Sequence, residues 1–362
     1  MTDKILASTP RDIWDVTLRK IELPYIKVLS TVSRFFRTLT ERHVWEDLRL
    51  KFTEKWRQQR GSEIFKGVAD KLKHVHSLTI FCESYVIHDE FVFERMFTDI
   101  SKNCVNLQEL DLEEYRGQVT ITLLNDLYKN CPNLRSLKFD TVVPKPISET
   151  NTKGKKGGKT IDILQGFGKL FKANTTSLQT LKMAISLSDK QVEPQQYVEF
   201  LHKVLAKSPN LKTLALSNVA NQKAGFSTQL LRDVVLPLFD MHTSLRVLKL
   251  EGYWGAYSLH KDEVEKLFSK FGTLEELEFS GLKPLKVEEG NGTETDASSV
   301  LDLISSHCTA IQALRWNVEC RKLNEDKFSL VTLVNLQRFQ LSCLGYTVPD
   351  STYSAVVISS VI

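Results

Sequence analysis

Three apolar residues, separated by two variable positions and then by one, recur along this chain. They stand at Leu107-Leu110-Leu112, Leu134-Leu137-Phe139, Leu178-Leu181-Met183, Leu211-Leu214-Leu216, Leu245-Leu248-Leu250, Leu274-Leu277-Phe279, Ile311-Leu314-Trp316 and Leu336-Phe339-Leu341. A weaker copy, Val75-Leu78-Ile80, precedes them. The last two members are two apart, the strand period, so each copy predicts a short strand with one apolar face. Between copies the apolar period lengthens to that of a helix: Phe91, Val92, Met96, Phe97 and Ile100; Leu123, Leu124, Leu127 and Tyr128; Tyr197, Phe200, Leu201, Val204 and Leu205. Helix then strand, repeated, predicts an α/β fold with parallel strands lining the inside of an arc and helices outside. No copy buries its apolar face alone, so the copies must stack.

The copies begin at 75, 107, 134, 178, 211, 245, 274, 311 and 336, so spacings run from 25 residues (311 to 336) to 44 (134 to 178). These centre near the length of a leucine-rich repeat, and residues 61–362 are expected to form a solenoid of about nine irregular repeats. Two stretches interrupt it: 144–160, PKPISETNTKGKKGGKT, and 284–297, PLKVEEGNGTETDA. Almost free of apolar residues, both are expected to be mobile insertions, the first basic and the second acidic. Residues 153–160 approach a phosphate-binding loop. That loop needs glycine at 153, where Lys stands, and no apolar strand leads in, so a solvated insertion is expected. Cys104, Cys131, Ser208 and Cys308 open four copies three positions before the first apolar residue, and are read as small core-filling groups where helix turns into strand. After Leu341, residues 353–362 are expected to begin another helical unit without a polar cap, leaving a truncated chain or a partner at that end as the expectation.

Residues 1–60 differ. Thr9-Pro10-Arg11-Asp12 has the order of a helix start, with Thr as cap and Pro at the first helical position. A second helix from Pro24 would align Ile26, Leu29, Val32, Phe36 and Leu39 in one stripe, joined by Val28 and Phe35. A third is expected from near Thr40, carrying Val44, Trp45 and Leu48. Three short helices hold more large apolar groups than one small core needs, which suits a partner surface.

Thr9-Pro10-Arg11-Asp12-Ile13-Trp14, then Val28 to Leu39 (VLSTVSRFFRTL), then Val44-Trp45-Glu46-Asp47-Leu48, resembles an F-box in order and spacing, with Thr9 and Asp12 in place of the family's Leu and Glu. An F-box followed by irregular repeats is similar to the F-box/leucine-rich-repeat proteins, and the resemblance then spans nearly the whole chain. It implies docking on a Skp-family adaptor, and through it on a cullin-RING ubiquitin ligase. The residues matching the family's docking motif are Pro10, Ile13, Val28, Leu29, Val32, Phe36, Trp45 and Leu48.

Strand alternation predicts which side chains face the inside of the arc. The central row is Thr79, Asp111, Lys138, Lys182, Ala215, Lys249, Glu278, Arg315 and Gln340, flanked by Asp140 and Arg338. Glu278 and Arg315 are expected to pair, and Lys138 and Lys182 to stand as adjacent like charges relieved in part by Asp140. The resulting basic middle suits a protein segment bearing acidic or phosphorylated groups.

Bulk properties narrow the rest. A net charge of +4 on 362 residues does not call for nucleic acid. The six cysteines form no CxxC pair, which fits neither a zinc site nor a secreted disulfide framework, and His74, His76 and Cys82 lack a fourth metal ligand. No signal-peptide core and no run of 18 apolar residues occur. A cytoplasmic or nuclear location without a membrane partner is expected. No HExxH, GxSxG or GxGxxG occurs, and an open arc offers no dry pocket, so neither catalysis nor a cofactor is expected. Two functions remain. One is the substrate-recognition subunit of an SCF-type ligase with an unknown protein target. The other is a repeat scaffold unconnected with ubiquitination, whose N-terminal helices are only a cap.

Overall fold

Each apolar triplet forms a strand. The computed structural model describes residues 17–18, 28, 31–32, 34–52, 68–82, 90–113, 121–142, 158–174, 176–186, 199, 201–202, 205–220, 244–252, 265–266, 268–282, 297–318, 333–344 and 355–361. The chain divides into two compact units, Met1–Lys138 and Phe139–Ile362.

In the first unit the order is α1 (Arg34–Glu46), β1 (Asp47–Phe52), α2 (Ala69–Leu72), β2 (Ser77–Cys82), α3 (Glu90–Asn103), β3 (Glu109–Leu112) and α4 (Ile121–Asn130), and the chain leaves through β4 (Ser136–Val142). β1, β2 and β3 are parallel neighbours, with Leu48 in register with Leu78 and Leu78 with Leu110. The helices bury most of the positions their periodicity marked, Phe97 and Ile100 on α3 and Leu123, Leu124 and Leu127 on α4, whereas Tyr128 of the same run is exposed. Between these two helices the Thr98 hydroxyl donates to Asp126 Oδ2 at 2.8 Å. Lys71 on α2 pairs with Glu41 on α1 and with its neighbour Asp70. Hydrogen bonding to Glu41 first, then to Asp70, raises the Lys71 pKa above its usual value.

The N-terminal segment departs from expectation. A single helix, α1, runs through Thr40, where a third helix was to begin. The Thr40 hydroxyl donates back to the Phe36 carbonyl at 2.7 Å, four residues earlier in the same helix, instead of capping a new one. Leu48 then lies in a strand. Residues 17, 18, 28, 31 and 32 are also helical, but a three-helix domain is not shown among the described residues. Trp45-Leu48-Leu50 is in fact one more copy of the apolar triplet, 30 residues before the copy at 75 (75 − 45). The His76 N–H donates to the Glu46 carbonyl at 2.9 Å, the same bond that Gln108 N–H makes to the His76 carbonyl one copy later.

In the second unit α5 (Gly158–Ala173) precedes β5 (Thr180–Ser186), β6 (Thr213–Ala220), β7 (Val247–Gly252) and β8 (Glu276–Leu282); α6 (Ala297–His307) precedes β9 (Ala313–Val318), β10 (Arg338–Leu344) and β11 (Ala355–Val361). β5 through β10 pair in sequence order, all parallel. This α/β alternation is compatible with a repeat solenoid. Each triplet residue whose burial is described in these strands is buried, each contributing about 1.5–3 kcal/mol of hydrophobic stabilisation. Phe139 meets Phe167 edge-on at 5.4 Å, and Phe268 meets Phe271 likewise at 5.7 Å.

Turns repeat as closely as strands. The carbonyls of Gln179, Lys212, Arg246, Glu275 and Gln312 each accept two N–H groups from the following copy, for example Lys212 and Thr213 on Gln179. The residue before the first apolar anchor also reaches back: Asn106 Nδ2 donates to the Lys73 carbonyl at 2.8 Å, Asn210 Nδ2 to Thr176 at 2.8 Å, Asn335 Nδ2 to Thr309 at 3.0 Å. Carbonyls at the helix-to-strand corner are thereby satisfied without water.

Two further expectations change. Residues 158–160 and 297, assigned to the insertions, are the first residues of α5 and α6; residues 144–157 and 284–296 lie outside the described residues. The C-terminal stretch is a strand and not a helical unit: β11 runs antiparallel to β10, with Leu341 opposite Ile358. Its sequence AVVISSV is rich in β-branched residues, which favour a pleated strand over a helix.

Candidate functional site

Parallel pairing fixes the face opposite the triplets. In the second unit Lys182, Ala215, Lys249, Glu278, Arg315 and Gln340 stand in one unbroken register row across β5 to β10. In the first unit Thr79 is in register with Asp111, and with Arg49 of β1 on its other side. Sequence reasoning missed Arg49 because its copy opens on Trp45; the triplet spacing was the signal that could have found it.

Side chains on this face are tied together. Arg315 Nη1 lies 3.2 Å from Glu278 Oε1, the expected pair. Lys249 Nζ sits 2.7 Å from Glu276 Oε1 and 3.7 Å from Glu278 Oε2. Glu278 is buried despite its charge, which its two cationic neighbours make tolerable. Glu276, absent from the expected row, reaches Lys249 diagonally because long side chains span neighbouring strands offset by two residues. Lys138 Nζ is 2.9 Å from Asp111 Oδ2 and 4.0 Å from Glu113 Oε2, so its partner is Asp111 where Asp140 was expected to relieve it. Lys138 and Lys182 belong to different units, Lys182 is half-buried, and the side chain of Asp140 lies outside the described residues. Arg338 is exposed. Where a basic middle was expected, Lys138 in the first unit and Lys249 in the second are each neutralised by a carboxylate of their own unit.

Of the residues expected to dock an adaptor, Pro10, Ile13 and Leu29 lie outside the described residues. Val28 and Val32 are helical, 61% and 65% exposed, with the Thr31 hydroxyl on the Val28 carbonyl at 2.7 Å. Phe36 is half-buried against Phe35, ring centroids 5.5 Å apart. Trp45 and Leu48 are half-buried and serve the α1–β1 copy.

The corner thiols face inward. Cys131 Sγ lies 3.6 Å from the Cys104 carbonyl and Cys308 Sγ 3.9 Å from the Phe268 carbonyl. Burial pushes the thiols of Cys104, Cys131 and Cys308 up to about 12, far from a nucleophilic thiolate. Among the described residues no three His, Cys, Asp or Glu side chains gather as a metal site, and no helix is long and apolar enough to cross a membrane.

No protein-family model matches the chain, and no curated protein matches it. Among solved structures, a structural-genomics crystal structure of a protein from Bacteroides fragilis is similar over 81% of this chain and 75% of that one, at 16% identity and a TM-score of 0.41. A likeness at that score carries no argument about fold or function.

Proposed function

We propose that this chain is a non-catalytic substrate-recognition subunit of an SCF-type cullin-RING ubiquitin ligase. Its N-terminal helical segment, which resembles an F-box, docks on a Skp-family adaptor, and its leucine-rich repeats hold a target protein. The observation that carries the reading is the pair Val28 and Val32. Four residues apart at helical positions, they share one face and leave most of their apolar surface in water. Burying each side chain in an interface is worth roughly 1.5 kcal/mol or more. The sheet supports the second half of the proposal, because strands about 4.8 Å apart repeat a polar face suited to an extended protein ligand. Ubiquitin transfer is then accelerated by proximity, the target being held beside a conjugating enzyme on another subunit.

Co-expression with a Skp-family adaptor tests this. The intact chain is expected to co-purify with the adaptor, and the Val28→Asp/Val32→Asp variant to lose it while keeping its circular dichroism. Failure of the intact chain to bind any such adaptor overturns the proposal.

A second reading has its own support. Because α1 and β1 form a helix–strand copy paired to β2, the N-terminal helices fit the cap of a leucine-rich-repeat binding scaffold unconnected with ubiquitination. That reading predicts target binding without an adaptor.

A further inference from the structure

The charged groups on the open face of β7 to β10 are not equivalent. Lys249 is held by Glu276 and Glu278, and Glu278 holds Arg315 with its other oxygen. Arg338 on β10 is exposed and has no side-chain hydrogen bond or ion pair among the described residues. The acid in its register row is Glu276, and Ala313 stands between them on β9. Alanine has no polar atom to bridge the gap, and Glu276 is already on Lys249. The remaining acid of this face, Glu251, stands on β7, three strands from Arg338, so among the described residues no carboxylate compensates the Arg338 end.

The spacing is informative. Arg338 is in register with Ala313, and Arg315 with Gln340, so the two arginines stand on neighbouring strands two positions out of step. With strands about 4.8 Å apart and a rise of about 3.3 Å per residue, their Cα atoms are about 8 Å apart. Glu278 draws the Arg315 guanidinium over β8, the side away from β10, while leaving the residue half-exposed at 51%. The two guanidinium groups therefore do not converge on one anion. They offer two separate forks for planar carboxylates. Along an extended peptide, side chains at alternate positions share one side about 6.6 Å apart, and the long side chains of glutamate splay across the wider gap between the two groups. Gln340, next to both, carries an amide that suits the peptide backbone.

We propose that Arg315 and Arg338, with Gln340 beside them, are the recognition point for an extended acidic segment of a partner protein, bearing carboxylates at alternate positions. This deepens the proposal that the sheet face holds the target and does not depend on adaptor docking.

Fluorescence anisotropy of the full chain with synthetic peptides tests it. The probes are a labelled peptide alternating Glu with Thr, a peptide of the same composition with its glutamates contiguous, and one with a single phosphoserine and no Glu. The alternating peptide is expected to bind tightest. Arg338→Ala and Arg315→Ala are each expected to weaken it about ten-fold, the scale of one charge-assisted hydrogen-bonded pair. Arg135→Ala, an exposed arginine of the first unit, is expected to leave it unchanged. Both tested arginines are exposed, and thermal denaturation of each variant checks that the fold is retained. Unchanged binding by Arg338→Ala, or tighter binding of the phosphoserine peptide, overturns the proposal. Since no adaptor is present, the result is independent of Val28 and Val32.

Discussion

Replacing Glu278 by Ala removes a buried carboxylate that two cations share, and the loss can be bounded from their surroundings. Breaking a fully buried pair costs about 3–5 kcal/mol, because a charge is stranded away from water. A surface pair is worth about 0–1 kcal/mol. Glu278 is 6% exposed, yet Arg315 is 51% exposed and is rehydrated when its partner goes. Lys249 keeps Glu276 at 2.7 Å. Neither cation is stranded, so the total loss is placed at about 2 kcal/mol, of which about 1 kcal/mol is coupling to Arg315. The assay is a double-mutant cycle, with chemical denaturation of the intact chain, Glu278→Ala, Arg315→Ala and the double variant. A coupling below about 0.3 kcal/mol, the usual error of additivity, refutes the arrangement.

Two further tests address the core. Burial lifts the thiols of Cys104, Cys131 and Cys308 from 9.0 to about 12, so folding favours their protonated form. The stability they confer is complete below pH 9 and declines as pH rises from 9 toward 12; a denaturation midpoint flat over that range contradicts this. Iodoacetamide at neutral pH should modify none of the three until denaturant is added, as mass spectrometry would show. Trp316 is buried with its indole N–H unpaired among the described residues. Trp316→Phe should change stability by about 1 kcal/mol or less, since the smaller ring gives up apolar contact but also removes an unsatisfied donor. Trp316→Ala should cost about 3–5 kcal/mol, and equal losses for the two variants exclude this account of the indole.

The strands were legible because their signal is local. Three apolar positions at fixed spacing define a strand and its inward face without reference to anything distant. All nine expected copies therefore form strands, and the row from Lys182 to Gln340 follows from alternation alone. The Glu278–Arg315 pair follows in turn, because parallel strands in register place these residues side by side. What was not legible depends on context. The copy Trp45-Leu48-Leu50 hides because an aromatic stands for its first leucine and because a helix-like apolar run leads into it. Thr40 could cap a new helix or hydrogen-bond within the old one, and only the backbone shows which. The partner of Lys249 was not in the expected row, because that row runs straight across the strands and Glu276 approaches on the diagonal. The C-terminal valines and isoleucine read as a helical unit by analogy with earlier copies, although their β-branched character favoured the antiparallel pairing with β10. Pro10, Ile13, Leu29 and the side chain of Asp140 fall outside the described residues, and their proposed roles stand on sequence alone.

The adaptor interface is the part of this account most open to direct measurement. Calorimetric titration of a purified Skp-family adaptor into the intact chain should show one-to-one binding. Val28→Asp/Val32→Asp should abolish the heat, whereas Val105→Asp/Val334→Asp, at two valines 45% and 81% exposed on repeat corners, should leave it unchanged. Binding that survives the first substitution, or is lost equally with the second, contradicts docking through the N-terminal helical face.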